Sequence, residues 1–210
     1  MELIIVLKKT IKYKKEREKL IMIFFTSDLH FNAQRTIDIS KRPFSTPDEL
    51  NKTLIKNWNK TVSKDDTVYI LGDFGDLSYA KFLNGRKVFV RGNYERGYYT
   101  QEELKQYFDV VYPLDVMYLP VEHNGKSYDI YITHEPLNLL ERPMTENTIG
   151  LFGHIHKLCM IKRYGINVGV DCHHFTPIDL DTVLFYHNAA LNYYDENVFN
   201  LGGENSESYF

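Results

Sequence analysis

Five short motifs along the chain carry side chains of the kind that bind metal ions. In chain order they are Asp28-Leu29-His30, Gly72-Asp73, Gly92-Asn93, Thr133-His134 and Gly153-His154-Ile155-His156. Together they supply two aspartates, one asparagine and four histidines, and most of them follow an apolar, β-prone run. Imidazole suits Zn, Fe, Ni or Mn, and a carboxylate can bridge two ions roughly 3.5–4 Å apart. The ordered set therefore predicts a pair of divalent metal ions held at the ends of neighbouring strands.

Length, charge and cysteine content restrict the class of protein. The 210 residues suffice for one domain with a sizeable core, and the formal net charge of −3 argues against a nucleic-acid binder that relies on a basic field. Cys159 and Cys172 form no CxxC pair, so we expect no disulfide framework and a cytoplasmic location. No apolar run approaches the roughly 20 residues of a membrane helix, so we expect no membrane span.

The chain is predicted to have three parts. Residues 1–20 form a basic N-terminal extension, residues 21–200 a single domain, and residues 201–210 a flexible polar tail. We interpret the extension as a solvated or helical segment, with a membrane-surface anchor as the alternative. Because Met22 stands at the beginning of the first convincing strand, translation from that residue is a further hypothesis.

The apolar pattern predicts the elements that must position the motifs. Strands are predicted at residues 21–26, 68–71, 87–90, 116–121, 128–133, 149–152, 166–170 and 183–186. A short helix is predicted at 102–108, and residues 123–126 read as a hairpin turn. This alternation of helices and strands, followed by a strand-rich half, favours an α/β fold with sheets inside and helices outside.

One longer helix has a clear start and a clear buried face. Thr46 is the expected N-cap, Pro47 occupies the first turn, and Glu49 closes a capping box. Apolar residues then repeat every four positions, as a core-facing stripe does. The stripe predicted to be core is Leu50, Leu54, Trp58 and Val62.

The motif series resembles that of the calcineurin-like metallophosphoesterases over about residues 21–184. The segments 41–44 (Lys-Arg-Pro-Phe) and 167–171 (Asn-Val-Gly-Val-Asp) are similar to small bacterial and phage members that have no cap domain. The resemblance implies a four-layer α/β/β/α sandwich of two mixed sheets. It also implies a binuclear centre in which one metal takes Asp28, His30 and His156. By matching position, the other metal takes Asn93, His134 and His154, and Asp73 bridges both.

Such a centre would hydrolyse phosphate esters. A hydroxide held between two divalent ions is a nucleophile at neutral pH, and the same ions stabilise the charge of an in-line displacement on phosphorus. No HExxH motif is present, which disfavours peptide hydrolysis. We expect two divalent metal ions, manganese first, with iron, zinc, nickel or magnesium as alternatives. The expected substrate is a small phosphorylated molecule, nucleotide-derived ones included, and no stable nucleic-acid complex is expected.

One position departs from the family pattern. The residue after the motif's asparagine is commonly a histidine that protonates the leaving group, and the next acidic residue orients it. Here those residues are Tyr94 and Glu95, so the candidate catalytic residues are Asn93, Tyr94 and Glu95, with a solvated acid as the alternative interpretation of Glu95. A tyrosine with a pKa of about 10 gives up a proton less readily than an imidazolium. Since the missing acid matters least for aryl or phosphate leaving groups, phosphodiester or pyrophosphate-type substrates are favoured.

Other interpretations stay open beside this one. A phosphomonoesterase, a nuclease and a catalytically silent protein-binding scaffold of the same fold are the alternative functions. Asn32, Gln34 and Arg35 are interpreted either as substrate contacts or as the start of a surface helix, and Asp171 as a residue that fixes a turn. The remaining histidines are interpreted as packed or surface side chains: His123, His173, His174 and His187.

Overall fold

Apolar, β-branched runs form ten strands in the part of the chain that the structure, a computed structural model, describes, residues 21–193. The strands are β1 (Ile23–Thr26), β2 (Thr67–Leu71), β3 (Arg86–Val90), β4 (Val110–Tyr112), β5 (Val116–His123), β6 (Lys126–Thr133), β7 (Thr148–Phe152), β8 (Ile161–Lys162), β9 (Gly165–Asn167) and β10 (Ile178–Asp179). The helices are α1 (Gln34–Ser40), α2 (Pro47–Thr61), α3 (Gln101–Leu104) and α4 (Leu180–Tyr193). Short 3₁₀-helices cover Leu77–Phe82, Pro136–Leu139 and Val170–Cys172. The predicted extension 1–20 and tail 201–210 lie outside the described residues.

The strands form two mixed five-stranded sheets. The first has the order β10-β1-β2-β3-β4, in which β1 to β4 are parallel and β10 is antiparallel. The second has the order β5-β6-β7-β9-β8, in which β6, β7 and β9 are parallel and the two edge strands are antiparallel. The predicted α/β class with two mixed sheets is confirmed.

Side chains of the first sheet alternate between two separate cores, as the pleat of a strand requires. Phe24 and Ile70 face the helices, where they pack in one cluster with Ile37 of α1 and Leu54 of α2. Phe25 and Leu71 face the other way and pack in a second cluster with residues of the second sheet such as Ile132. The two sheets therefore pack face to face, with α1 and α2 covering the first sheet.

Helix α2 begins and buries its side chains nearly as the sequence predicts. The residues of the predicted stripe are all buried: Leu50, Leu54, Trp58 and Val62. The Thr46 hydroxyl accepts a hydrogen bond from the Glu49 backbone N–H at 3.3 Å, as an N-cap does. The Glu49 carboxylate, however, accepts from the backbone N–H of Ser45 at 2.8 Å, one residue earlier than in a capping box.

The predicted strand at 183–186 is wrong, because these residues lie inside helix α4. Four apolar residues are too few to separate a strand from a buried helix by their period alone. Over the whole helix the buried positions recur every three or four residues: Leu180, Val183, His187 and Ala190. The Asp179 carboxylate accepts from the Thr182 N–H at 2.8 Å and so supports the first turn. Helix α4 contacts β10 and β1 of the first sheet and β9 of the second.

Two smaller predictions differ from the structure only at their ends. The strand predicted at 166–170 ends at Asn167, because its side-chain oxygen accepts from the Gly169 N–H at 2.8 Å and turns the chain. The helix predicted at 102–108 is the shorter α3. The hairpin turn predicted at residues 123–126 is confirmed, because His123 pairs with Lys126 and the chain turns at Asn124 and Gly125, whose positive φ values of 49° and 76° suit a two-residue turn. Within residues 21–193, no helix is long and apolar enough to cross a bilayer.

Candidate metal centre

The seven predicted ligands come together beyond the ends of strands. Asp28, Asp73 and Asn93 follow β1, β2 and β3, which run parallel in the first sheet. His134 and His154 follow β6 and β7, which run parallel in the second sheet. Because parallel strands bring their carboxyl ends to one edge, each sheet presents its ligands together, and the packed sheets present them to each other.

Glycines in the motifs let these loops approach closely. A Cβ atom at Gly72 would collide with the backbone of Gly92, and the φ of Gly72 is +81°. A Cβ atom at Gly153 would collide with the side chains of Ser27 and Asp28. The glycines that precede Asp73 and His154 therefore allow one loop to lie against the next.

Most of the predicted ligands have strained backbones. Left-handed φ values between 50° and 71° occur at Asp28, His30, Asp73, His154 and His156. Such a conformation costs on the order of 1–3 kcal/mol for a residue other than glycine, and it persists where the surroundings enforce it. Five strained residues in one cluster indicate a functional site whose side chains are aimed at a common point.

Asp28, His30 and His156 form the first group of ligands. One ligand atom of each lies within 4.8 Å of the others, so the three could hold one metal ion. Asp28 and His30 are buried, and the Asp28 carboxylate accepts the backbone N–H of His154 at 2.9 Å. This is the set that the resemblance implies for one of the two metals.

Asn93, His134 and His154 form the second group. The Asn93 side-chain oxygen lies 2.9 Å from Nε2 of His134 and 3.0 Å from Nδ1 of His154. The two imidazole nitrogens are 3.2 Å apart. The three side chains that the resemblance assigns to the second metal are thus in mutual contact.

Asp73 lies between the two groups. One carboxylate oxygen is 3.6 Å from Nε2 of His30, and the other is 3.4 Å from Nε2 of His134. The Asp73 side chain is buried, and burial raises the pKa of its carboxyl, an effect that the charge of His134 partly offsets. A carboxylate in this position can bridge two ions.

The donor atoms are better suited to binding divalent cations than to hydrogen bonding with one another. Nδ1 of His134 lies 2.7 Å from the Leu71 carbonyl oxygen, which fixes the proton on Nδ1 and leaves a lone pair on Nε2. That lone pair then faces the Asn93 oxygen, another acceptor. His30 is fully buried, and neither of its ring nitrogens has a hydrogen-bond partner among the described residues. A bound cation would resolve both conflicts.

Two residues that the sequence did not assign to the site hold His156 in place. Nδ1 of His156 donates to the Asp171 carboxylate at 2.8 Å, which leaves Nε2 free for a metal. The Arg42 guanidinium binds both oxygens of that carboxylate, at 2.9 and 2.7 Å. It also donates to the backbone carbonyl of Asp28 at 2.6 Å. Arg42 therefore links Asp171, which holds His156, to the backbone of Asp28.

The pKa values of the histidines follow their surroundings. Burial, and then the Arg42 charge, holds the pKa of His30 well below its ordinary value, so this imidazole stays neutral as a metal ligand must. Burial and the charge of His134 lower the pKa of His154. Burial lowers the pKa of His156, but the hydrogen bond to Asp171 and the charges of Asp28 and Asp171 together outweigh burial, and the pKa is raised.

Tyr94 lies at the rim of the centre. Its ring packs edge-on against His30, with the centroids 4.7 Å apart, and the side chain is 37% exposed. Its hydroxyl accepts a hydrogen bond from the Arg35 guanidinium at 3.1 Å. Of the three residues after the first motif that were considered as substrate contacts, Arg35 thus reaches the rim, while Gln34 bonds Asp38 within α1.

The resemblance suggested that Glu95 orients the residue before it, but Glu95 does not orient Tyr94. Its buried carboxylate accepts three backbone N–H groups, those of Asp73, Phe74 and Gly92, at 2.9 to 3.1 Å. Burial and the charge of Asp73 raise its pKa. The role of Glu95 is to fasten the loops that carry Asp73 and Asn93 to each other.

The other four histidines lie outside the two ligand groups, as predicted. His123 pairs with Asp181 at 2.8 Å, and Nε2 of His173 bonds the Asn167 carbonyl at 2.7 Å. His174 is exposed, and His187 is buried in α4. Only the four histidines of the motifs converge on the centre.

Comparison with known proteins shows the family to which this chain belongs. It is 34% identical to the uncharacterized protein MJ1445 of Methanocaldococcus jannaschii, in a match that covers 77% of the chain and 89% of that protein. The chain belongs to the same family as this archaeal protein. It is also 26% identical to the gene 66 protein of Mycobacterium phage L5, over 70% of the chain and 86% of the phage protein. No protein-family model matches it.

A solved structure is also similar. The protein of unknown function AQ665 from Aquifex aeolicus is 28% identical to the chain and superposes with a TM-score of 0.61. The match covers 79% of this chain and 99% of the Aquifex protein. The similarity supports the two-sheet α/β fold.

Proposed function

We propose that the chain is a calcineurin-like metallophosphoesterase, an enzyme that hydrolyses phosphate esters with two divalent metal ions. The observation that carries the proposal is the position of Asp73, whose two oxygens face His30 on one side and His134 on the other. A bridging carboxylate between two imidazole-containing groups is the ligand arrangement of a two-metal hydrolase. The two packed sheets, with α1 and α2 covering the first, support three of the four layers of the α/β/β/α fold of this class.

The ligand chemistry supports phosphate as the group acted upon. The site combines three carboxylate or amide side chains with four imidazoles, a mixture that suits Mn, Fe or Zn. Bound ions would supply Lewis acidity and activate a water molecule for attack on phosphorus. The protein would contribute rigid placement, since strained backbones and the Arg42–Asp171 pair fix the ligands before a substrate arrives.

The rim residues support a preference for phosphodiester or pyrophosphate-type substrates. The residue after Asn93 is a tyrosine, and its hydroxyl accepts from Arg35 instead of pairing with a carboxylate. Such a hydroxyl can donate a hydrogen bond to a leaving oxygen, but it protonates a poor leaving group less readily than an imidazolium does. Arg35 adds a cation close to the place where phosphate oxygens would lie.

Hydrolysis of matched nitrophenyl substrates tests the proposal. The full chain is assayed with bis(p-nitrophenyl) phosphate and p-nitrophenyl phosphate in Mn²⁺, after chelation, and after Mn²⁺ is restored. We expect turnover that chelation abolishes and Mn²⁺ restores, with the diester preferred. We also expect His134→Ala to remove activity while His123→Ala, at a partly buried histidine outside the two ligand groups, retains it. Absence of metal-dependent turnover of both substrates would refute the enzyme, and a strong monoester preference would refute the diesterase assignment.

A further inference from the structure

A group of exposed tyrosines stands beside the candidate metal centre. Tyr98 is 79% exposed, Tyr99 38% and Tyr94 37%, although all three belong to one short loop after β3. Large aromatic rings left to water next to a functional site mark a surface that binds something. None of the roles proposed above uses Tyr98 or Tyr99.

These tyrosines line a cavity that opens onto the centre. Its volume is about 480 Å³, and its walls include Arg35 together with Tyr94, Tyr98 and Tyr99. Asn93 also lines this cavity, and its side-chain oxygen contacts His134 and His154 of the second ligand group. We call this cavity the tyrosine pocket. Its size falls in the range of small-molecule sites and is suited to one ligand of moderate size.

The loop that carries the tyrosines is held in shape. The backbone N–H groups of Tyr98 and Tyr99 both donate to the Glu95 carbonyl, at 3.2 and 3.1 Å. The Arg96 guanidinium binds Glu135 at 2.7 Å and Asp115 at 3.0 Å, which ties the loop to the second sheet. A pocket built on an anchored loop loses little conformational entropy when a ligand binds.

The chemistry of the walls selects a flat, anionic ligand. Tyrosine rings stack on planar groups, and a guanidinium such as that of Arg35 attracts phosphate oxygens. A nucleoside phosphate combines both features, and the pocket volume fits a single nucleotide. A long nucleic-acid strand fits less well, because the net charge of −3 offers no extended basic field.

We infer that the tyrosine pocket binds the nucleoside portion of the substrate, with its base against Tyr98 and Tyr99 and its phosphate turned towards Asn93. This inference rests on the proposed phosphoesterase function and narrows its substrate to nucleoside phosphodiesters. Arg35 acts as a specificity residue that contacts the phosphate or sugar side of the nucleoside. Tyr94 forms the wall between the pocket and His30.

Two diesters with the same leaving group test the inference. Thymidine 5′-(p-nitrophenyl phosphate) and methyl p-nitrophenyl phosphate are compared in Mn²⁺, and kcat/KM is expected to favour the nucleoside by about tenfold or more, the effect of one base–aromatic stack. Tyr98→Ala is expected to reduce that preference several-fold through KM, and Tyr98→Phe, which keeps the ring, to retain it. Tyr107→Ala, at a half-exposed tyrosine away from the tyrosine pocket, is the control and should keep both rates.

A binding measurement separates this inference from the proposed function. Thymidine 5′-monophosphate is titrated calorimetrically into the full chain, and binding should be weakened about tenfold or more by Tyr98→Ala. Hydrolysis of both diesters without preference would overturn the tyrosine pocket and leave the phosphoesterase intact. Binding of the nucleotide that depends on Tyr98, without any hydrolysis, would overturn the enzyme and support the pocket. Affinity that rises steadily with oligonucleotide length would overturn the single-nucleotide assignment.

Discussion

Asp171 accepts a hydrogen bond from Nδ1 of His156 at 2.8 Å, so a residue 15 positions further along the chain sets which nitrogen His156 can offer to a metal. Arg42 in turn holds Asp171 with two hydrogen bonds. The hydrogen bonds from His156 and Arg42 lower the pKa of the Asp171 carboxyl against the opposing effect of burial. The carboxylate is thereby kept charged beside the imidazole.

We expect Asp171→Asn to weaken metal binding by about 10- to 100-fold, the usual effect of losing the carboxylate behind a ligating histidine. An asparagine can still accept from His156, but it carries no charge and binds the Arg42 guanidinium poorly. Titration of Mn²⁺ into the metal-free variant measures the loss. Asp38→Asn, at an exposed aspartate of α1, is the control, and equal affinities of the two variants would contradict the role of Asp171.

Glu95→Gln should destabilise the fold by about 1–3 kcal/mol, because the buried carboxylate that accepts three backbone N–H groups would become an amide that turns its own N–H₂ towards some of them. Urea unfolding of the metal-free protein measures the change. Glu102→Gln, at an exposed glutamate of α3, is the matched control. An unchanged urea midpoint for Glu95→Gln would show that its three hydrogen bonds do not hold the loops.

Acid should destabilise the protein partly through His187. Burial lowers the pKa of this histidine. The unfolded chain therefore takes up a proton at about pH 6.5 while the folded chain resists it, and stability falls as the pH drops from there to the lowered pKa. We expect the free energy of unfolding of His187→Gln to fall less between about pH 7 and pH 5 than that of the wild type. The same pH slope in both proteins would remove His187 as a cause.

Tyr94→His should raise hydrolysis of p-nitrophenyl phosphate relative to that of the diester, because an imidazolium can protonate a poor leaving group. The Tyr94 ring already packs against His30, so the new imidazole would lie at the rim of the centre. Tyr94→Phe, which removes only the hydroxyl, is the control for changes in packing. An unchanged ratio in Tyr94→His would mean that this position does not face the leaving group.

Much of the fold could be predicted because local patterns coincide with the final packing. The stripe of Leu50, Leu54, Trp58 and Val62 is buried as predicted, since a four-residue repeat with an N-cap leaves few other structures. The apolar run at 183–186 was wrongly predicted to be a strand, because the helical period of its buried residues is visible only when His187 and Ala190 are included. Short apolar runs are ambiguous until the sheets around them are known.

The candidate site, like the fold, could be predicted only in part. The seven residues predicted as ligands could be found in the sequence because each belongs to a short motif that follows a strand, and the structure brings all seven together. The roles of Arg42 and Asp171 could not be predicted, because the two residues are 129 positions apart and their contact is apparent only in the folded structure. The segments that contain them were the one available signal, since both are similar to small members of the metallophosphoesterases. Glu95 was misjudged because its partners are backbone N–H groups, which leave no trace in a sequence.

The measurement that tests the central claim most directly is the number of metal ions bound per chain. Wild-type protein reconstituted with Mn²⁺ and freed of excess metal should hold two ions by elemental analysis. Asp73→Asn, which weakens the bridge between His30 and His134, should hold one or fewer and lose metal-dependent hydrolysis. Asp38→Asn should hold two. A wild-type protein that holds no metal, or an Asp73→Asn variant that holds two and remains active, would contradict a binuclear centre bridged by Asp73.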